Sequence, residues 1–307
     1  MLVGLATACQ PPPPVPVFTV TVAVAGNDTN PGDGICEADL SGTQCTLQAA
    51  IQEANALGRA DIVMLSGREY AAIAGHITGM VTMSVVQVHP NLSTAAYLGG
   101  FDLTIDQGAT LVMTNVSMHD MGPEAGQHFE VHGTLIVDRF YGGSYGSSLL
   151  TVSSTGKAVL QNADLSVVHS AVVNDGWVEL RYSSIMSNET GIVTRGSGET
   201  RLGGVALMTP EQTPNGTNCS GTAPTSLGYN AATGTTCGLD RTGDVQGLPV
   251  SSLSHPFAVS ARTDKIPLNA IGCGTSTIAD VNGQVRPADG NADGVTACDI
   301  GAQERQG

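Results

Sequence analysis

Phe129-Glu-Val-His-Gly133, Leu150-Thr-Val-Ser-Ser-Thr-Gly156 and Val172-Val-Asn-Asp-Gly176 are one phrase written three times. Each is a β-forming stretch closed by a glycine, and each glycine leads into another β-forming stretch. The phrase also appears upstream as Leu103-Thr-Ile-Asp-Gln-Gly108 and downstream as Ile192-Val-Thr-Arg-Gly196. Successive glycines lie 25, 23, 20 and 20 residues apart. A period near twenty is too short for a strand–helix unit and suits one coil of a β-solenoid. Within each coil, alternate side chains should face in and out. Phe129, Val131, Leu135 and Val137 are assigned inward, and Glu130, His132 and Asp138 outward.

Composition agrees with many short strands joined by tight turns. Gly numbers 39 and Pro 15, the aromatic residues are few, and Val, Thr and Ser dominate the middle of the 307-residue chain. The net charge is −15 and the only lysines are Lys157 and Lys265. With no basic run or patch, nucleic acid is excluded as a partner. An acidic surface suits an exported, soluble protein and attracts divalent cations, though a solvated face is the simpler account. No stretch approaches the ~20 apolar residues of a membrane span.

Seven cysteines are present, and six of them fall into local pairs: Cys36 with Cys45, Cys219 with Cys237, and Cys273 with Cys298. None has the close spacing of a zinc site, so three disulfides and an oxidising compartment are expected. Cys9 is left over. Small residues precede it in Met1-Leu-Val-Gly-Leu-Ala-Thr-Ala-Cys9, and Gln10 and a proline run follow. This reads as the end of a lipoprotein signal, with Cys9 lipidated and the Pro-rich stretch to Pro16 acting as a stiff stalk. The other readings are an ordinary secretory signal or a tail with a free thiol.

Four regions are expected. Residues 1–16 are signal remnant and linker. Residues 17–65 hold a first strand at Phe18 to Val24, a disulfide loop and a helix. Thr46 N-caps that helix, Gly58 ends it, and Leu47, Ala50, Ile51, Ala54 and Leu57 have helical spacing. A solenoid exposes interior and strand edges at its first coil, and this helix is placed to cover them. Residues 66–208 are the coils, where Asn115 and Asn162 could stack from coil to coil. Residues 209–307 read as one irregular C-terminal cap.

Two end segments resemble the CSLREA-domain family of bacterial exported proteins. The first runs from Phe18-Thr-Val-Thr-Val through Asp33-Gly-Ile-Cys36 to Cys45-Thr-Leu-Gln-Ala-Ala-Ile-Gln-Glu-Ala-Asn55. Gln48 and Ala49 stand where the family carries Arg and Glu. The second comprises Asn218-Cys-Ser-Gly-Thr, Ser226-Leu-Gly-Tyr-Asn230, Thr236-Cys-Gly-Leu239, Asp280-Val-Asn-Gly, Arg286-Pro287 and Cys298-Asp-Ile-Gly-Ala302. There Gln303 replaces the family's Phe. The resemblance implies a surface or secreted single-stranded right-handed parallel β-helix, pectate-lyase-like in its coils, usually without an assigned activity. The expected fold is thus all-β, with an N-terminal capping helix and a disulfide-stapled C-terminal cap.

Four sets of residues offer chemistry. Asp289, Asn291 and Asp293 put oxygen ligands at alternate positions before Gly294, and Asp299 follows near the end of the loop. That is the start of a Ca²⁺ loop without its terminal Glu; an Asx-turn loop is the favoured alternative. Asp28, Asn30 and Asp33 form a weaker set of the same kind. His128, Glu130 and His132 share one face of a strand about 7 Å apart, with Asp106 in the matching place one coil earlier and His119 between, a weak transition-metal arrangement. For hydrolysis or lyase chemistry the candidates are Glu130, Asp138 and Arg139, also weak, with Trp177, Tyr141, Tyr145 and Tyr182 as aromatic platforms for sugar. No column of carboxylates with a basic partner is present. The function expected is a cell-surface or secreted binding or structural role in adhesion, the envelope or a surface assembly. The partner would be a surface glycan or another surface protein, with the membrane reached only through a lipid on Cys9. A pectate-lyase-like carbohydrate-active enzyme is the alternative.

Overall fold

The structure, a computed structural model, describes residues 13–38, 44–86, 95–118, 127–144, 148–167, 169–187, 189–209, 216–249, 265–275 and 279–306. Cys9, His119 and Tyr145 lie outside them. The chain winds as a parallel β-solenoid whose coils present three faces. The first coil is β2 (Arg59–Leu65), β3 (Glu69–Tyr70) and β4 (Ile73–Ile77), preceded by β1 (Val17–Thr19) and α1 (Leu47–Leu57). The second is β5 (Met80–Val86), β6 (Ala96–Leu98) and β7 (Phe101–Ile105). In the next three coils one long strand spans two faces: β8 (Thr110–Met118) with β9 (Gln127–Val131), β10 (Thr134–Ser144) with β11 (Ser148–Val152), and β12 (Lys157–Val167) with β13 (Ser170–Asn174). Then follow β14 (Trp177–Arg181), β15 (Ser184–Ser187) and β16 (Thr190–Thr194), and β17 (Glu199–Gly203), β18 (Ala206–Met208) and β19 (Thr217–Gly221). A last partial coil holds β20 (Thr225–Gly228) and β21 (Ala231–Ala232).

The first face runs β1-β2-β5-β8-β10-β12-β14-β17-β20, and the third runs β4-β7-β9-β11-β13-β16-β19. The second face joins β3 and β6 to the distal halves of β8, β10 and β12, then β15, β18 and β21. Every pairing between these strands is parallel, with equivalent residues of successive coils in register apart from a shift at Gly203 between β17 and β20. Ile62, Met83, Met113, Val137, Leu160, Leu180 and Leu202 therefore stack in one interior column. Leu103, Phe129, Leu150, Val172 and Ile192 form another. All are buried, each worth ~1.5–3 kcal/mol against exposure. Phe129, Val131, Leu135 and Val137 point inward as the alternation predicts.

Two corners carry the sequence specificity. Between the first and second faces the backbone takes a left-handed residue: Asn115, Arg139, Asn162, Tyr182, Gly204 and Tyr229 all have φ between 46° and 67°. Asn tolerates this bend by short-range hydrogen bonding and Gly by lacking Cβ. Asn115 and Asn162 thus serve the bend. Between the third and first faces, the residue just before each first-face strand accepts from the next coil. Gly58, Gly79, Ala109, Gly133, Gly156 and Gly176 do so through their carbonyls. At Gly133, Gly156 and Gly176 the glycine is needed for close approach of coils. A Cβ on Gly156 would sit 2.1 Å from the Val131 carbonyl oxygen. Gly108 and Gly196 differ: each has positive φ and open space around it, and Ala109 and Gly198 hold the close-approach position in those coils.

The N-terminal end is closed as the capping argument requires. Thr46 accepts from the Ala49 amide and Gly58 ends the helix with φ 74°. Leu47, Ala50, Ile51 and Ala54 join the solenoid core. Leu57, expected on that face, is exposed instead, and Glu53 is buried in its stead. Glu53 accepts hydrogen bonds from the backbone amides of Gly32 and Gly34, so it anchors the disulfide loop. All three expected disulfides are formed.

The C-terminal region does two separate things. Residues 216–249 close the far end: Cys219–Cys237 ties β19 to a segment whose Leu239 reaches the core. Residues 265–275 and 279–306 instead lie along the outside of the second face. Ile266, Cys273, Cys298 and Ile300 pack on Tyr182, Ala206, Met208 and Ala231. The Gly301 amide donates to the Gly204 carbonyl and the Ala302 amide to Ser184 Oγ. β15, β18 and β21 are therefore buried on both sides. Gly156→Ala is expected to cost about 3 kcal/mol or more, because backbone must move. Gly108→Ala should cost about 1–2 kcal/mol, from its φ alone. Urea unfolding of the two variants checks the order, and equal costs would refute the assignment of the two glycines.

Candidate binding face

The acidic loops are occupied by their own backbone. Asp289 accepts from the amides of Asp293 at 3.0 Å and Gly294 at 2.9 Å, Asn291 from Asp293 at 2.9 Å, and Asp293 from Val295 at 2.8 Å. These are Asx-turn contacts. Asp299 does not share the loop's mouth: it is buried, and its Oδ2 accepts from the Arg305 amide. Near the N-terminus, Asp28 accepts from Asn30 and Asp33 from Ile35, while the Asn30 side chain donates to Asp33. Burial, followed by the nearby Glu53 and Asp33 charges, pushes the Asp28 carboxyl above its ordinary value, although backbone hydrogen bonds oppose the rise.

The remaining candidates are dispersed over different faces. Glu130 on β9 and His132 just beyond its end pair with each other at 3.2 Å, while His128 meets the Ser148 carbonyl at 3.1 Å. Asp106 pairs with His76 at 2.8 Å. Among the described residues no group of three His, Cys, Asp or Glu side chains is arranged to hold a metal ion. Asp138 lies on the first face, not with Glu130 on the third. It contacts its neighbour Arg139 at 3.4 Å and accepts from Asn162 at 2.8 Å. Glu130 and Asp138 therefore do not face one another across a cleft, as a glycosidase pair must. A depression between residues 23–25, Leu47, Gln48 and residues 70–73 has no interior room for a ligand.

The outward side of the first face is different. Trp177, whose side chain could equally have filled the core, is half-buried on this outer surface. It stands in register between Lys157 and Glu199, with Glu179 next to Arg201 in the adjoining row. Glu179 binds Arg181 at 2.6 Å and Glu199 binds Arg201 at 2.6 Å. The Arg201 guanidinium is 5.8 Å from the Trp177 ring centroid. The alternation in Trp177-Val-Glu-Leu-Arg181 and Glu199-Thr-Arg201 contained this grid, but only coil-to-coil register assembles it.

One buried polar centre was also missed. Arg286, wholly buried, pairs with Glu304 at 3.1 Å, donates to the Gly301 carbonyl at 3.0 Å, and lies 4.9 Å from the Tyr182 ring centroid. Burial pushes the Glu304 carboxyl up to about 7, with Arg286 and the amides of Asp299 and Ala288 opposing it. Burial likewise lifts the Tyr182 phenol to about 12. Asp280 accepts from the amides of Asn282, Gln284 and Glu304. The Asp280, Arg286, Asp299 and Gly301 positions of the resemblance thus build the side segment and offer no open site.

No family model, curated protein or solved structure matches the chain. The fold rests on the coils themselves.

Arg286→Met should destabilise the protein by about 3–5 kcal/mol, since Glu304 then stays buried without its counter-charge. Thermal unfolding with limited proteolysis checks this: new cuts should fall within residues 265–306. An unchanged melting curve would contradict the burial of the pair.

Proposed function

We propose that this is a bacterial cell-surface or secreted β-helix with a binding or structural role, in adhesion, the envelope or a surface assembly. The observation that carries this reading is the arrangement of covered and open surface. Among the described residues, the chain's own segments close both ends of the solenoid and the second face, while outward side chains of the first face such as Met80, Ile136 and Lys157 stay exposed on an ordered sheet. A recognition surface needs rigidity and exposure. A catalytic cleft needs walls and paired acids, and Glu130 and Asp138 stand on different faces. The disulfides accord with an exported protein. The likeness of the end segments to the CSLREA family, with its right-handed coils, points the same way. Cys9 fits a lipid anchor, and a surface glycan or another surface protein fits as partner.

A carbohydrate-active enzyme remains the second reading, favoured by Trp177 on an outer sheet face. A glycan array probed with the chain from Val17 onward, with Ca²⁺ and with chelator, separates the two. Binding without cleaved products is expected. Release of shortened oligosaccharide would overturn the proposal. Loss of binding on chelation would assign a Ca²⁺ role to the Asp289 loop or the Asp28 cluster.

A further inference from the structure

The first face carries a local charge pattern that opposes the rest of the molecule. The chain as a whole has a net charge of −15. On the outer grid of β12, β14 and β17, Glu179 is spent on Arg181 and Glu199 on Arg201. Lys157, exposed and in register with Trp177, has no carboxylate partner among the described residues. Lys157 therefore stands one coil from a half-buried indole, with the two backbones paired about 4.8 Å apart along the solenoid axis.

A wall borders the grid. The Arg181 guanidinium donates to the Ile271 carbonyl at 3.4 Å, and the Tyr182 hydroxyl reaches the same carbonyl at 3.3 Å. The Ile271 side chain comes over Gly203, where an added Cβ would meet its Cδ1 at 3.7 Å. The side segment thus raises an edge beside an otherwise flat sheet. Floor and edge together offer an indole with the Arg201 guanidinium to one side of it, two guanidinium–carboxylate pairs that both donate and accept, and, in Lys157, a cation with no carboxylate partner among the described residues.

We infer that this surface binds an oligosaccharide bearing a carboxylate, with a sugar ring on Trp177 and the carboxylate on Lys157. The inference rests on the surface-binding reading above and names its site and ligand class. Indole faces favour the C–H-rich side of a pyranose by apolar contact. The paired Glu199 and Arg201 side chains are held fixed, so they can bond ring hydroxyls with little loss of rotamer freedom. Lys157 selects charge: a neutral sugar satisfies the indole and leaves the ammonium unused. No bond is made or broken in this step.

Trp177 is the only tryptophan of the chain, so its fluorescence reports on this site alone. The full chain is titrated with trimers of galacturonate and glucuronate, with a sialic-acid-terminated trisaccharide, and with the carboxyl-reduced counterpart of each. At least one acidic sugar should give a saturable change in Trp177 emission. Its reduced form should bind at least tenfold more weakly, a difference of ~1.4 kcal/mol. Lys157→Glu, at an exposed position, should abolish the change while leaving the melting temperature unaltered, and Lys157→Arg should keep it. Equal binding of acidic and reduced sugars would overturn the inference, as would indifference to Lys157→Glu. Glycan-array binding with an unchanged Trp177 signal would remove this site and leave the surface reading standing. Silence in both assays would remove this site and the glycan partner, and leave the structural role as the account of the surface.

Discussion

A coil of this solenoid cannot satisfy its own backbone. Each strand's amides and carbonyls bond only to the coil before and the coil after, as in the ladder from Gly133 to Lys157 and from Gly156 to Trp177. Cohesion therefore runs along the axis, and every interruption leaves a row of unpaired groups exposed. The interior columns follow from the same register, since residues that pair across coils also stack beneath one another. Large neighbours can touch directly, as with the Phe101 and Phe129 rings at 4.2 Å between centroids.

That dependence explains what the remaining residues are for. α1 and β1 close one end, and residues 216–249 close the other. There Asn230 bonds four ways, to the Leu202 carbonyl, Ser226, Asp244 and the Val205 amide. The side segment answers a different need. Ala206, Met208 and Ala231 turn apolar side chains outward on the second face, and water would meet them if Ile266 and Ile300 were absent. Within the segment lies a buried charge pair, Arg286 with Glu304, whose desolvation is offset by their mutual attraction and by the Gly301 carbonyl. Among the described residues no segment packs over the outer side of the first face.

The sequence made the coils legible because their period is short and their inward and outward residues alternate cleanly. The helix and its caps at Thr46 and Gly58 were legible for the same local reason, and so were the cysteine pairs. Leu57 and Glu53 were not: helical spacing names a face by hydrophobicity, whereas the Gly32 and Gly34 amides required a carboxylate there. Gly108 and Gly196 entered the repeat by composition, yet they do a different job from Gly156. The side segment could not be told from an end cap, because the distinction depends on contacts across about a hundred residues, such as Tyr182 with Ile271. The outer grid was hidden likewise, since Lys157, Trp177 and Glu199 become neighbours only once the coils are in register.

Hydrogen exchange on the oxidised full chain, read by mass spectrometry, tests most directly whether the stack is closed by its own chain. The strands from β8 to β17 should exchange slowly and together. Gly301 and Ala302 should also be protected despite their nearness to the C-terminal end, because they bond to Gly204 and Ser184. Slow coils combined with fast exchange throughout residues 280–306 would contradict the account, since the outer apolar side of the second face would then lie open.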